Sequence, residues 1–163
     1  MFWGTETGRV DAKGRLKLSA SLHRSLRELC DAAGRAPDSP DRERAPDVFV
    51  TSFDGEEVKV FPSEEWAKIL KQMASAETAT DGEANNRLLM RANSFGKPEN
   101  LDNQGRLLLP AALRKKTDFT GPVMIQWRNH HLVVWREETF ERQVANNAPT
   151  SGDLAYGAST LGL

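Results

Sequence analysis

Residues 11–18 read DAKGRLKL and residues 102–109 read DNQGRLLL, so the chain holds two copies of one short motif. The copies are 91 residues apart (102 − 11), and the match continues to Leu22 and Leu113. An internal repeat determines the architecture of a chain before any single motif is interpreted, because each copy is one structural unit. The sequence therefore predicts two halves of similar structure.

A second pair of similar segments follows, since residues 58–61 read VKVF and residues 132–135 read LVVW. These segments are 74 residues apart (135 − 61), so the first half holds an insertion of 17 residues (91 − 74). The insertion falls within residues 31–47, where one glycine and three prolines stand among Asp and Arg residues. That composition is typical of an exposed loop, because it supplies few apolar side chains to a core.

The repeats divide the chain into four parts. We expect a first repeat with its following helix at residues 1–76, a linking helix at 77–97, a second repeat at 98–145 and a tail at 146–163. The linking helix is expected from Glu83 to Phe95, because Gly96 and Pro98 follow it. The tail is rich in Asn, Ala, Ser, Thr and Gly with little apolar patterning, so we expect it to be mobile.

Each repeat begins with a turn whose residue types have a physical reason. Asp11 and Asp102 occupy the first turn position, where a carboxylate accepts hydrogen bonds from the turn's own amides. Gly14 and Gly105 occupy the fourth position, where glycine adopts a positive φ at no steric cost. Both segments are therefore predicted to be the tips of antiparallel hairpins.

The strand after the first turn is predicted to have one basic and one apolar face. Arg15 and Lys17 alternate with Leu16 and Leu18, and successive residues of a strand point to opposite sides. In the second repeat Leu108 takes the place of the lysine. We expect that face to be more buried, or less exposed to a ligand, than its counterpart.

A short helix and a second hairpin complete each repeat. Ser19 is suited to cap the first helix, and Pro110 is suited to the first turn of the second. The second hairpins are expected to turn at Gly55 and Asn129, two residue types that accept a left-handed conformation. One module exposes an unpaired hairpin edge and is too small to stand alone, so the two copies should interleave about a pseudo-twofold axis.

Charge is distributed unevenly along the chain, although the net charge is only −1. Residues 1–29 hold six basic residues against three acidic ones, and residues 101–116 hold four against one. Acidic residues are concentrated elsewhere in the chain. The two basic segments are the ones that contain the two copies of the repeated motif. A local positive surface, rather than the total charge, decides whether a protein attracts a polyanion.

Several classes of protein are disfavoured by the sequence. The longest nearly apolar run, residues 107–113, is too short to cross a bilayer. Cys30 is the only cysteine, which excludes an internal disulfide and suits a reducing cytoplasm. His130 and His131 are neighbours on one predicted strand and point to opposite faces, so no metal site or cofactor is expected. No phosphate-binding loop or catalytic triad motif occurs in the sequence, so we expect that the protein is not an enzyme.

A hairpin, a short helix and a second hairpin, opened by Asp-x-x-Gly-Arg, resemble the swapped-hairpin DNA-binding fold of the AbrB and SpoVT superfamily. Two such copies in a chain beginning Met-Phe-x-Gly look like the MraZ family, over residues 1 to about 142. The most specific pieces are residues 11–15 and residues 102–110. The resemblance implies an α+β fold, in which two tandem β-α-β modules form an intertwined, barrel-like core with linking helices.

The same resemblance implies a function and its residues. Members of the family are cytoplasmic, nucleoid-associated regulators that form an octameric or larger ring. They bind repeated boxes of double-stranded DNA upstream of their own operon, in the division and cell-wall gene cluster, and usually repress it. Carried over by motif position, Arg15 and Arg106 face DNA, with Lys13 beside the first. Arg9 and Lys17 are further candidates from the charge pattern itself. No membrane and no small-molecule substrate are expected.

The chain departs from the family pattern at four places. Ser19 stands where the family usually has proline, and Val10 replaces a usual leucine. Both changes are compatible with the fold. Trp3 takes a position that is often basic, and the insertion at residues 31–47 is unusual. These two departures bear on which DNA sequence is bound and on how the subunits are arranged in the ring.

Each assignment has a simpler alternative. Arg15 and Arg106 could form ion pairs with the aspartates of their own turns, but exposed ion pairs add little stability, so we favour DNA contact. Arg9 and Lys17 could equally be solvated strand charges. Residues 114–116 lie in the last turn of a predicted helix, where cations suit the helix dipole, so a structural role is favoured there. The alternative function is a ring-forming scaffold for protein partners without a DNA role.

Overall fold

The structure is a computed structural model and describes residues 4–32 and 46–163. In these two ranges, eight strands form one antiparallel sheet. They are β1 (Thr5–Val10), β2 (Arg15–Lys17), β3 (Val48–Thr51), β4 (Glu57–Pro62), β5 (Lys97–Glu99), β6 (Arg106–Leu108), β7 (Gly121–Arg128) and β8 (His131–Arg136). The helices are α1 (Ala20–Ala32), α2 (Ser63–Ala74), α3 (Ala79–Phe95), α4 (Ala111–Thr117), α5 (Glu137–Asn146) and α6 (Ser151–Tyr156), followed by a π-helical turn (Gly157–Leu161).

The two halves are interleaved in the sheet, whose strand order is β5-β3-β4-β8-β7-β1-β2-β6. Strand β1 of the first half pairs with β7 of the second, and β5 of the second half pairs with β3 of the first. Neither half therefore forms a complete sheet alone. The predicted fold class is confirmed: two β-α-β modules exchange hairpins and form a nearly closed, barrel-like core.

A pseudo-twofold axis follows from the strand register. Leu16 pairs with Leu107 where β2 meets β6, and these residues are counterparts at the 91-residue offset. Lys59 pairs with Val133 where β4 meets β8, and these are counterparts at the 74-residue offset. A residue that pairs with its own counterpart lies on the axis relating the two copies. The axis thus passes through the β2–β6 pair and the β4–β8 pair.

The two second hairpins differ by one residue. Val48 pairs with Pro62, whereas Val123 pairs with Arg136, so the offset is 75 before the turn and 74 after it. The first hairpin consequently has the longer turn. Gly55 has a φ of +81° and Asn129 a φ of +54°, which confirms the left-handed positions expected from the sequence.

The core lies inside the barrel and along one outer face. Inward leucines and valines of both halves form the main cluster, including the fully buried pair Leu16 and Leu107. A second cluster lies where α2 and α3 cover the sheet, and its buried members are Phe49, Phe61, Trp66 and Ala92. Trp66 stacks on Phe49 with ring centroids 4.6 Å apart and so anchors this cluster.

Helix boundaries follow capping residues. The Ser19 hydroxyl accepts from the Leu22 amide at 3.1 Å, which confirms the predicted cap of α1. Helix α3 begins four residues earlier than predicted, because the Thr78 hydroxyl caps it by accepting from the Asp81 amide at 3.1 Å. The residues before Glu83 are polar, so apolar spacing alone did not mark this start.

The C-terminal segment contains a helix, α6, and the mobility expected of this tail stays a prediction. Thr150 and Asp153 form a capping box at the start of α6, with hydrogen bonds of 3.1 and 2.8 Å. Apolar patterning alone does not reveal this helix, because polar residues mark its start.

Most of the predicted insertion, residues 33–45, lies outside the described residues, as does Trp3. Its end is anchored by Asp47, whose carboxylate accepts from Arg27 Nη1 at 3.1 Å and from the Leu101 amide at 3.0 Å. Asp47 therefore connects helix α1 to the second half of the chain. Within the two described ranges, no helix combines the length and the apolar content needed to span a bilayer.

Candidate nucleic-acid interface

Both Asp-x-x-Gly turns adopt the predicted geometry. The Asp11 carboxylate accepts from the amides of Lys13 and Arg15 at 3.0 and 2.9 Å, and the Gly14 amide donates to the Asp11 carbonyl at 2.9 Å. The φ of Gly14 is +80°, and that of its counterpart Gly105 is +72°. These local bonds leave the side chain of Lys13 exposed at the tip of the turn.

The second turn has the same hydrogen bonds and a strongly stabilised carboxylate. Asp102 accepts from the amides of Gln104 and Arg106 at 2.9 and 2.8 Å. The Arg106 amide, followed by the Arg106 side chain, lowers the pKa of Asp102 to about 2. The Arg15 amide is likewise the largest cause that lowers the pKa of Asp11. Both carboxylates are ionised at neutral pH.

The ion pairs considered as the simpler alternative are present. Arg15 Nε lies 2.8 Å from Asp11 Oδ2, and Arg106 Nε lies 2.6 Å from Asp102 Oδ2. The arginine side chains remain 35% and 33% exposed. Across the described residues, neither guanidinium donates a hydrogen bond from its terminal amino groups to a protein group. The aspartates thus hold the guanidinium planes in place and leave their terminal donors available.

Strand pairing aligns three cations from three strands. Arg9 on β1 pairs with Lys17 on β2, and Lys17 pairs with Arg106 on β6. Directly paired residues point to the same face, and the neighbouring Leu16 is buried on the other. Arg9, Lys17 and Arg106 therefore form a row on the outer surface, which we call the basic row. Like charges directly opposite each other are destabilising, so this arrangement favours a polyanionic ligand.

The basic row is only partly neutralised by the protein. Arg106 is paired with Asp102, and the Lys17 ammonium donates to the Gln104 carbonyl. In the described part of the chain, Arg9 makes no side-chain hydrogen bond or ion pair and is exposed. Two of the five sequence-predicted cations, Arg15 and Lys13, lie beside the row on the first turn and its strand.

The opposite side of the pseudo-twofold axis is different. Arg15 pairs with Leu108, which stands where the first half has Lys17. Leu108 is 42% exposed, so this side is apolar but not buried. The counterpart of Arg9 is the neutral Asn100. The surface is thus symmetric in backbone and asymmetric in charge.

Two residues support the turns, a role that their local sequence pattern does not reveal. Arg114 covers Gly14, donating through Nε to the Leu109 carbonyl and through Nη1 to the Lys13 carbonyl, both at 3.1 Å. Its counterpart at the 91-residue offset is His23, which packs against Gly105. Arg114 lies in the last turn of α4, as expected for a structural residue, and these contacts add a second structural role. The repeat offset was the signal that could have connected these two residues.

A surface groove runs beside the basic row, between β1, the start of α1 and the second turn. Its lining residues include Arg9, Lys17, Ser19, His23 and Gln104. Burial is the main cause that lowers the pKa of His23, with smaller contributions from the charges of Arg27 and Lys17. His23 is therefore neutral near pH 7, and the positive charge of the groove comes from Arg9 and Lys17.

The two neighbouring histidines do not form a metal site. His131 stacks on Phe61 with ring centroids 4.5 Å apart, and burial lowers the pKa of His131 to about 4. His130 is exposed on the turn side. Among residues 4–32 and 46–163, no group of three or more His, Cys, Asp or Glu side chains is arranged to hold an ion.

Comparison with known proteins identifies the family. The family model described as "MraZ protein, putative antitoxin-like" matches residues 97–155. The chain is 32% identical to the transcriptional regulator MraZ of Acidobacterium capsulatum over 153 residues, 94% of each chain. It is 28% identical to that of Koribacter versatilis over the whole of both chains, and 29% identical to that of Neisseria meningitidis over 147 residues, 88% of this chain and 85% of the relative.

These similarities extend across both repeats and agree with the interleaved fold. The relatives are named as regulators rather than as enzymes, in agreement with the expectation that the protein has no catalytic function. Identity of this level over almost the full length establishes kinship, so the chain belongs to the MraZ family.

Proposed function

We propose that the protein is a sequence-specific DNA-binding transcriptional regulator that represses its own operon in the division and cell-wall gene cluster. It acts in the cytoplasm on the nucleoid, as an octameric or larger ring bound to repeated promoter boxes. The observation that carries the proposal is the basic row, three cations aligned on adjacent strands with an oriented guanidinium at each Asp-x-x-Gly-Arg turn. The regulator names of the relatives support it.

The proposed contacts divide into two kinds. Arg15 and Arg106 have planar guanidinium groups held by one edge, and their free donors suit bidentate recognition of guanine or of phosphate. Lys13, Lys17 and Arg9 are exposed cations on the turn and the outer sheet face, and they meet phosphates, which fixes the register of the protein on the duplex.

Self-association of the protein strengthens its binding to DNA. One protomer offers only a few phosphate contacts, so its affinity for DNA is weak and falls steeply with salt. A ring that presents several protomers to several boxes raises the effective concentration of each later contact. Repeated subunits and repeated boxes therefore act together.

A salt titration tests this function. Fluorescence anisotropy with a labelled fragment from upstream of the protein's own gene should show binding that weakens as salt rises. Arg15→Ala and Arg106→Ala should each cost roughly 1–3 kcal/mol of binding free energy, and Lys17→Ala should reduce the salt slope by about one. Arg87→Ala is a matched control, because Arg87 is an exposed arginine on α3 outside the interface.

Three results would contradict the proposal in different ways. Full binding by the Arg15→Ala, Arg106→Ala double variant would remove these residues from the interface. An equal loss in Arg87→Ala would indicate a general charge effect. Absence of binding to every upstream fragment at low salt would favour the alternative function, a ring-forming scaffold for protein partners.

A further inference from the structure

The duplication extends beyond the two hairpin modules to the helices that follow them. Thr78 caps α3 by accepting from the Asp81 amide, and Thr150 caps α6 by accepting from the Asp153 amide, both at 3.1 Å. Each helix begins after a linker of four residues, 75–78 after α2 and 147–150 after α5. Helix α6 is therefore the counterpart of α3 in the second half.

The two counterparts are packed very differently. Helix α3 folds back on the first half: Asn85 Nδ2 donates to the Met73 carbonyl at 3.1 Å, and Thr51 Oγ1 donates to the Ala92 carbonyl at 2.7 Å. Ala92 is completely buried. All six residues of α6 are exposed, and within residues 4–32 and 46–163 the only extensive contact of α6 is with the π-helical turn that follows it.

The C-terminal segment thus has an apolar surface that its own protomer does not cover. Large side chains at four positions are more than half exposed: Leu154, Tyr156, Leu161 and Leu163. A helix of this length is marginal in water without tertiary packing, since its nucleation cost is spread over few residues. The segment therefore requires an apolar surface to pack against.

The second half has an open groove at the position that corresponds to the face covered by α3 in the first half. Trp135 and Phe140 line it at the positions that Phe61 and Trp66 occupy beneath α3 at the 74-residue offset. The Trp135 and Phe140 rings are 5.6 Å apart. Val144, on the same wall, is 57% exposed. The first half itself shows what covers this face: the helix that follows.

Charge does not oppose the packing of the segment into the groove. Asp153 is the only charged side chain among residues 150–163. In the groove, Arg128 lies over the Trp135 ring at 5.3 Å and its side chain is 48% exposed. The one acidic lining residue, Glu57, pairs with Lys59 at 2.9 Å and with Arg128 itself at 3.6 Å. The two charged lining residues therefore offset each other, and a segment with a single charged side chain meets a groove without net charge.

We propose that α6 and the π-helical turn of one copy dock into the α5 groove of a second copy, in the position that α3 occupies in the first half. Helix α6 is formed but does not pack on the α5 of its own protomer. If each protomer donates its α6 to the α5 of another, the protomers are joined in the manner of a domain swap. This inference rests on the self-association in the proposed function and assigns its contact surface. It is independent of DNA contact.

Cross-linking tests which chain supplies the segment. Val144→Cys and Leu154→Cys are made in separate chains, co-expressed, and treated with a mild oxidant; the native Cys30 is buried. We expect a disulfide-linked dimer containing one chain of each kind. Leu88→Cys co-expressed with Val144→Cys is the control, because Leu88 is also an exposed leucine, at 42% against 63% for Leu154, but lies on α3. A bond that forms only within the Val144→Cys, Leu154→Cys double variant would overturn the exchange in favour of intramolecular packing.

A mass measurement gives an independent readout. Leu154→Asp should shift the native mass toward that of the 18.1 kDa single chain, whereas Leu88→Asp should leave it unchanged. The thermal unfolding of the protomer should not change, since Leu154 is exposed in it. Low-salt binding of a single DNA box should persist, which separates failure of this inference from failure of the DNA proposal. Unchanged assembly of Leu154→Asp, or a wild-type protein that is monomeric, would overturn it.

Discussion

Asp11 and Asp102 perform two structural tasks with one carboxylate each. One oxygen accepts two backbone amides and closes the turn, while the other fixes the Nε edge of an arginine. The ion pair and the proposed DNA contact are therefore compatible, because they use different edges of one guanidinium. Orientation of the donor, rather than pair stability, is what the aspartate contributes at an exposed site.

The pH dependence of stability should reveal the carboxylate of the second turn. The pKa of Asp102 is about 2 in the folded protein, below its ordinary value of 3.8, so its contribution is complete above about pH 4 and is lost as pH falls toward 2. Asp102→Asn should lower the unfolding temperature at about pH 5, and its difference from wild type should shrink by about pH 2. Circular dichroism melts measure both, with the exposed Glu141→Gln as control. A difference that stayed constant with pH would contradict this assignment.

Gly14 should tolerate substitution less well than Gly55, although their φ angles are +80° and +81°. Alanine at either position costs roughly 1–2 kcal/mol for the left-handed conformation. At Gly14 the new Cβ would also overlap Arg114 Cδ, displacing two hydrogen bonds worth about 1 kcal/mol each. At Gly55 the nearest atom is Thr117 Cγ2 at 3.8 Å. Urea unfolding should rank Gly14→Ala as the less stable, and equal losses would show that Arg114 adapts freely.

Among the elements, β2 and β6 connect the fold to the candidate site. Each strand has only three residues, and its inward leucine meets its counterpart on the pseudo-twofold axis. Its outward residues include the cations of the interface. A shift of one residue in this pairing would turn the basic row inward, so the buried leucines hold the register of the surface.

Truncating these leucines should destabilise the whole protein to a similar extent in either half. Leu16→Ala and Leu107→Ala should each lower the free energy of unfolding by about 2–5 kcal/mol, because both side chains are fully buried and leave a cavity. Leu108→Ala, next in β6 but 42% exposed, is the matched control and should change it by less than about 0.5 kcal/mol. Chemical denaturation measures all three. A small loss of stability at only one of the two buried leucines would argue that they are not equivalent about the pseudo-twofold axis.

At the scale of the whole molecule, each half supplies strands that complete the other. Strand β7 lies between β8 and β1, and β3 lies between β4 and β5, so both repeats contribute to each side of the barrel. Each turn also docks on the opposite half: the Gly14 carbonyl accepts from the Leu109 amide at 2.8 Å, and the Gly105 carbonyl accepts from the Leu18 amide at 2.9 Å. The stability of the fold therefore depends on both halves of the chain together.

Separated halves should not fold as monomers. Residues 1–96 and 97–163, produced as separate chains, should each lack a cooperative thermal transition as a monomer, because their sheet edges and apolar faces are uncovered. Mixing them should restore a cooperative transition near that of the intact chain, as measured by circular dichroism. Cooperative unfolding of either fragment as a monomer would show that the interleaving is dispensable.

The sequence by itself determined the repeat, the two turns, the alternation of faces and the candidate arginines. These features are local, because turn chemistry and strand periodicity depend on residues only a few positions apart. Capping signals at Thr78 and Thr150 were equally local and available, and they would have predicted both helix starts.

Only the tertiary structure decided which strands are neighbours. The alignment of Arg9, Lys17 and Arg106, the contacts of Arg114 and His23 with the glycine turns, and the open groove on α5 all join segments far apart in the chain. Such pairings depend on how apolar faces are buried together across the barrel, and a sequence pattern specifies the faces without specifying their partners.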